Sequence, residues 1–295
     1  PPGTKLPRRR LSSCYCLLLV MSPEPSIVSS QLDADRLDFL VRDRYFTGIR
    51  SAAIDLEWLF DSLRILKIPI ELGSSIKEFT FVVGEKGLAV AEEYLFAYTK
   101  MYTNVYFHKT TRAVQLMVTE ILISIFKNKS FLRKIPDENL LKSYFCSNKQ
   151  PNLDVYLKLD DASVINFLRI ISSGKFSEAT VLARRFFDRD LFKCFEVSRS
   201  TSDDFPRKKF GDFLDELDRK KIKVIRDITP EKGLKQYDII GEKFLNNLLV
   251  IDQNEYKPIA KLSRPIREMT SVRTIRLYFK TATDRTRALQ IWNSL

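Results

Sequence analysis

The chain has 295 residues, of which 44% are hydrophobic and 29% charged, and its formal net charge is +12. That length allows about two domains and a buried core without disulfides or a structural metal, and the composition excludes a disordered, collagen-like or mucin-like chain. Nine glycines against 21 phenylalanines point to a mainly helical protein rather than a turn-rich sandwich; no apolar run reaches the roughly 18 residues of a membrane-spanning helix.

Residues 1–28 carry Lys5 and Arg8–Arg10, then a short apolar run from Leu17 to Val20. A basic segment before an apolar one resembles a secretory signal, but Ser22-Pro23-Glu24-Pro25 is a poor cleavage site. The expectation is an irregular leader, closed by Pro23 and Pro25.

Leu32–Arg44 reads as a helix with Leu37, Leu40 and Val41 as its apolar stripe and Gly48 as its stop. Ile54–Leu66 reads as a second helix, with Leu56, Leu59, Phe60 and Leu63 at core spacing. Phe79–Val83 suits a short strand. Leu88–Phe126 holds one long helical pattern without proline or glycine. A polar loop with Pro136 and Pro151 precedes two further helices, Asp160–Ser172 and Phe176–Phe187.

The tail differs. Ser198–Asp204 reads as a polar linker, and Lys221–Asp227 and Leu248–Asp252 as strands. Val272–Lys280 alternates, with Ile275, Leu277 and Phe279 on one face and Thr274, Arg276, Tyr278 and Lys280 on the other. Thr283 is the expected cap of a last helix. The expected organisation is a leader (1–28), a helical body (29–198) and a small α+β subdomain (199–295).

Residues 257–287 hold nine basic side chains (Lys257, Lys261, Arg264, Arg267, Arg273, Arg276, Lys280, Arg285, Arg287) against Glu268 and Asp284. Such a stretch suits nucleotides, nucleic acid or acidic lipid, and equally a solvated basic surface. Cys14, Cys16, Cys146 and Cys194 show no metal-binding spacing, and His108 is the single histidine, so a four-ligand zinc site is not expected. Unpaired thiols suit a cytoplasmic location.

Four carboxylates and two arginines crowd Asp33–Asp43. Asp38 and Arg42 can form an ordinary i, i+4 surface pair. Asp35, Phe39 and Asp43 share one helix face. A carboxylate there can ligate a divalent metal, an adjacent arginine can clamp phosphate, and a second carboxylate can accept from a sugar hydroxyl. Tyr94, Tyr98, Tyr102 and Tyr106 recur every fourth residue, a spacing more common in cores and interfaces than in cofactor contacts. His108 reads as a polar contact rather than a ligand.

The run from Ser29 through Leu32-Asp33-Ala34-Asp35-Arg36-Leu37-Asp38 and Arg42-Asp43 to Tyr45-Phe46-Thr47-Gly48 resembles the segment carrying the last metal-ligating aspartate of the HD-domain phosphohydrolases, in their deoxynucleotide triphosphohydrolase-like branch. Met101–Lys109, Leu159–Ser163, Arg189–Lys193 and Ile275–Tyr278 extend the match in order, so the likeness covers residues 29–295. It implies the C-terminal part of a helical HD fold followed by a small α+β subdomain. Asp35 matches the fourth ligand of a His, His-Asp, Asp site for a divalent metal (Mg, Mn, Fe or Zn). Arg36 matches a triphosphate contact, Asp43 the residue holding the deoxyribose 3′-hydroxyl, and Tyr106 an aromatic packing on the sugar. Lys109, Arg189 and Lys193 match effector-phosphate residues at subunit contacts.

The chain departs from the pattern in places. The upstream His and His-Asp pair are not in the sequence, so no complete catalytic set is present and the chain reads as N-terminally truncated. Phe39 replaces a usual Tyr, and Tyr98 a phosphate-binding Arg. The expectation is a truncated metal-dependent phosphohydrolase of deoxynucleoside triphosphates, oligomeric, with deoxynucleotides as ligands and no triphosphohydrolase activity of its own. The alternative is a non-catalytic, oligomeric binder of nucleotides or single-stranded nucleic acid. A nucleoside monophosphate substrate is a third reading, opened by Tyr98.

Overall fold

The computed structural model describes residues 31–69, 74–146, 153–200, 206–228, 247–269 and 273–295. The expected leader lies outside the described residues, as do residues 201–204 of the expected linker. In chain order the elements are α1 (Ala34–Thr47), α2 (Leu56–Ser62), β1 (Leu63–Pro69), β2 (Lys77–Val83), α3 (Leu88–Met101), α4 (Lys109–Phe126), α5 (Asp161–Ser173), α6 (Glu178–Phe187), β3 (Lys193–Ser200), α7 (Arg207–Arg219), β4 (Ile225–Ile228), β5 (Leu249–Asp252), β6 (Glu255–Pro258), β7 (Arg273–Phe279) and α8 (Ala282–Ser294). A π-turn, Tyr102–Tyr106, follows α3. Short helices occupy Lys129–Leu132, Leu140–Phe145 and Leu153–Tyr156. The protein is mainly α, with a small α+β part. Among the described residues no helix is long and apolar enough to cross a membrane.

Contacts divide the described residues into two units, those within Pro1–Val105 and Pro230–Val272 and those within Tyr106–Thr229 and Arg273–Leu295. In the first, β1 and β2 form an antiparallel hairpin, β2 pairs in parallel with β5, and β5 with β6 antiparallel. Ile68, Val82 and Leu249 make the apolar centre of this sheet. Helix α1 buries Leu37 and Leu40, whereas Val41, expected on the same stripe, is 37% exposed. Gly48 ends α1 at φ 70°, the left-handed cap that glycine adopts at little cost. At Gly87 a Cβ would stand 2.5 Å from the Ser62 and Val83 side chains, so only glycine lets the turn after β2 pack this closely.

Two of the expected helices take a different course. The helix expected over Ile54–Leu66 stops at Ser62, and Leu63 turns into extended backbone at ψ 141°. Residues 63–69 have a strand partner in β2, and the inter-strand ladder outweighs a continuing helical pattern. The long helix expected over Leu88–Phe126 is broken between Met101 and Lys109. His108 adopts extended backbone and its Nδ1 accepts from the Thr110 N–H at 3.3 Å, so a side chain starts α4 without proline or glycine.

In the second unit, Met117, Ile121 and Ile125 of α4 pack with Phe167, Leu168 and Ile171 of α5 and with Ala179, Leu182 and Ala183 of α6. β7 is the central strand of an antiparallel sheet in the order β3-β7-β4. Its Leu277 and Phe279 join Phe195, Phe213, Leu217, Ala288 and Ile291 in a second core. The expected alternation of β7 holds, but its polar face is buried too: Arg276 is 6% exposed and Tyr278 fully covered. Helix α8 is capped by Thr281, not Thr283; the Thr281 hydroxyl accepts from the Asp284 N–H at 3.0 Å. The expected linker is strand β3 as far as Ser200. Helix α7 lies where no helix is expected from the sequence; it buries Phe213 and Leu217.

Candidate functional site

Helix α1 places Asp35, Arg36 and Asp43 in the first unit. Its N-terminus is built by Asp33, which is 5% exposed. The Asp33 carboxylate accepts from the Arg36 N–H at 2.7 Å, satisfying one of the helix's free donors. It also lies 3.4 Å from the Arg36 Nε. The Arg36 guanidinium donates to Gln31 Oε1 at 3.0 Å and sits 5.8 Å from the centre of the Tyr98 ring. Tyr94 completes the brace from α3, its hydroxyl donating to the Gln31 carbonyl at 2.6 Å. Burial pushes the Tyr94 and Tyr98 hydroxyls well above the usual phenol range, so both stay neutral. Tyr98 and Tyr102 are in ring contact, 4.6 Å between centres.

Asp35 differs from both neighbours. It is exposed in the first turn, where the helix dipole favours a negative charge. Asp43 is half-buried two turns later, and Asp38 and Arg42 form the expected surface pair at 3.0 Å. Among the described residues no group of three or more His, Cys, Asp or Glu side chains could hold a metal ion. Asp35 supplies one carboxylate, and one carboxylate gives neither the ligand number nor the geometry of a metal site.

Tyr106, Lys109, Arg189 and Lys193 belong to the second unit. Tyr106 is half-buried at the end of the π-turn. Lys109 is exposed in the first turn of α4, and its carbonyl accepts from the Tyr278 hydroxyl at 3.0 Å. Arg276 donates to the Phe107 carbonyl and to Glu196 Oε2, the latter at 2.9 Å. Arg112 makes a two-point contact with the buried Asp227, its Nε at 3.0 Å from Oδ2, and this carboxylate holds the guanidinium above its ordinary range.

Arg189 and Lys193 flank Asp190. The Asp190 carboxylate pairs with Lys193 at 2.9 Å and with Arg185 at 2.8 Å, and these partners hold it below the usual carboxylate range. Arg189 is exposed in left-handed backbone at φ 57°. Lys193 is thus in an ion pair within its own chain.

The basic stretch of residues 257–287 is divided between the two units. Lys257 pairs with Asp252, Arg264 with Glu268, and Lys280 with Glu178. Arg267 donates to the carbonyls of Ala260 and Lys261, Arg285 to that of Cys194, and Arg276 is buried. Most of the stretch is therefore engaged internally. Sequence reasoning missed Asp33 as a cap, although an aspartate just before the first helical residue is a recognisable start signal. The Arg112–Asp227 and Arg276–Glu196 pairs join residues 115 and 80 positions apart and leave no local signal.

A family model described as the HD associated region matches residues 72–274. The uncharacterized Bacillus subtilis protein YwfO is 30% identical over 179 residues, which is 59% of this chain and 37% of that protein. The Methanocaldococcus jannaschii protein MJ1154 is 27% identical over 170 residues, 58% of this chain and 30% of that one. The matches thus span about a third of the length of these relatives. Among solved structures, a phosphohydrolase from Bacteroides thetaiotaomicron superposes with TM-score 0.64 at 19% identity, over 92% of this chain and 67% of its own. A hypothetical protein from Aquifex aeolicus gives 0.60 at 21% identity, over 98% and 66%. These likenesses share the fold.

Proposed function

The chain belongs to the HD associated region family, and on that premise we propose that it is part of a metal-dependent HD-type phosphohydrolase acting on deoxynucleoside triphosphates. The observation that carries the reading is the arrangement at the start of α1: Arg36 is braced by Asp33, Gln31 and Tyr98 while the adjacent Asp35 stays exposed. A braced guanidinium loses less freedom on meeting phosphate than a mobile one. The phosphohydrolase among the solved neighbours agrees with this direction.

In this reading Asp35 is one ligand of a divalent metal (Mg, Mn, Fe or Zn), Arg36 meets the triphosphate, and Asp43 accepts from the sugar 3′-hydroxyl. Tyr106 packs on a deoxyribose and disfavours a 2′-hydroxyl. Lys109, Arg189 and Lys193 bind effector phosphate where copies of the chain meet. The described residues alone do not form the ligand set of such a metal.

Calorimetric titration of the purified chain with deoxy- and ribonucleoside triphosphates tests this. The expected result is a deoxynucleotide preference of about tenfold or more, lost in Asp43→Asn and Tyr106→Ala, with no release of deoxynucleoside by the chain alone. Equal affinity for the two sugars, or no binding, contradicts the reading. Salt-dependent binding of single-stranded DNA with no nucleotide preference favours a nucleic-acid binder instead.

A further inference from the structure

We propose that the polar face of the β3-β7-β4 sheet is a positioning platform for Tyr106 and Lys109, with Arg276 and Tyr278 as its positioning residues. This rests on the assignment of Tyr106 to the sugar and extends it to residues about 170 positions away in the chain.

Three groups hold one short turn. Arg276 donates to the Phe107 carbonyl, Tyr278 donates to the Lys109 carbonyl, and Arg112 grips Asp227 on β4. The anchors at 107, 109 and 112 bracket the His108 cap and begin one residue after Tyr106. On the sheet Glu196 of β3, Arg276 of β7 and Asp227 of β4 stand in one row, and Tyr278 follows two residues along β7.

Stability alone does not explain this chemistry. Leu277 and Phe279 on the other face are packed apolar side chains. Placing an arginine at 6% exposure on this face carries a desolvation cost that an apolar residue would avoid. What the polar groups add is direction: Arg276 bridges the Phe107 carbonyl and Glu196, Tyr278 donates to the Lys109 carbonyl, and such directed bonds fix one placement of the turn. Tyr106 also ends a π-turn, an irregularity frequent at functional positions. Cys194 stands opposite Tyr278, next in sequence to Lys193, so the strand carrying that lysine runs beside the strand that holds the turn.

The experiment is hydrogen exchange on the full chain, paired with deoxy- versus ribonucleotide titration, for wild type, Tyr278→Phe, Arg276→Met and Arg276→Lys. Tyr278→Phe removes a single hydroxyl and guards against a variant that fails to fold. The expected result is exchange in residues 106–112 faster by about tenfold in Tyr278→Phe and Arg276→Met, with Ile121–Ile125 unchanged. Arg276→Lys recovers part of the protection, and the sugar preference falls in step with exchange. Unchanged exchange over 106–112 in Tyr278→Phe, or a rise spread evenly through the core, overturns the proposal. If wild type shows no sugar preference, the assignment of Tyr106 fails, and the exchange result still decides whether the sheet holds the turn.

Discussion

The start of α1 and the turn at Phe107–Arg112 both set an arginine against a carboxylate, but over different sequence distances. At α1 the pair is Asp33 with Arg36, three residues apart, and it leaves Asp35 exposed. At the turn Arg112 reaches Asp227, which is buried on a strand. The first is a local device that sets a helix end. The second joins distant segments and stands only when the whole unit is folded. Breaking the pair at the turn should therefore cost more stability than breaking the pair at the start of α1.

The largest expected effect is at the buried pair. Asp227→Ala leaves Arg112 facing a site without its carboxylate and should lower unfolding free energy by about 3 kcal/mol, read by denaturant titration. Next comes Asp33→Ala, which removes a helix cap and should cost about 1 kcal/mol while freeing Arg36. If Asp33→Ala proves the more damaging of the two, the comparison is reversed. Gly48→Ala, at φ 70°, should also cost about 1 kcal/mol through left-handed strain.

The contrast follows how much could be read beforehand. Helix α1, its Gly48 stop and the alternation of β7 were legible, because each is written in residues a few positions apart. Local pattern failed where a distant partner decides. Residues 63–66 continue an apolar helical spacing, yet the hairpin with β2 makes them a strand. The break before α4 depends on the side chain of His108, which no proline or glycine announces. The basic stretch of residues 257–287 looks like a single patch in sequence, but Arg276, Lys280 and Arg285 turn inward to Glu196, Glu178 and the Cys194 carbonyl. Of the candidate site, the crowding of charge on α1 was visible; which aspartate serves the helix and which faces out was not.

Smaller effects sharpen the same comparison. Asp190 sits below the usual carboxylate range because Lys193 and Arg185 pair with it. A depressed folded value means that its contribution is present above the unfolded value of about 3.9 and is lost as pH falls through the folded one. Asp190→Asn should lower neutral stability slightly and flatten the acid limb of a stability-versus-pH curve, while leaving stability below the folded value nearly unchanged. The smallest effect belongs to Asp38→Asn, which breaks an exposed i, i+4 pair and should change stability by less than about 0.5 kcal/mol.

The most direct test of the central claim is to photo-crosslink the chain with an azido-deoxynucleoside triphosphate and map the labelled peptide. The account predicts label within residues 34–47, suppressed by excess unmodified deoxynucleotide and much less by the ribonucleotide. Label confined to other segments, or suppressed equally by both sugars, would contradict it.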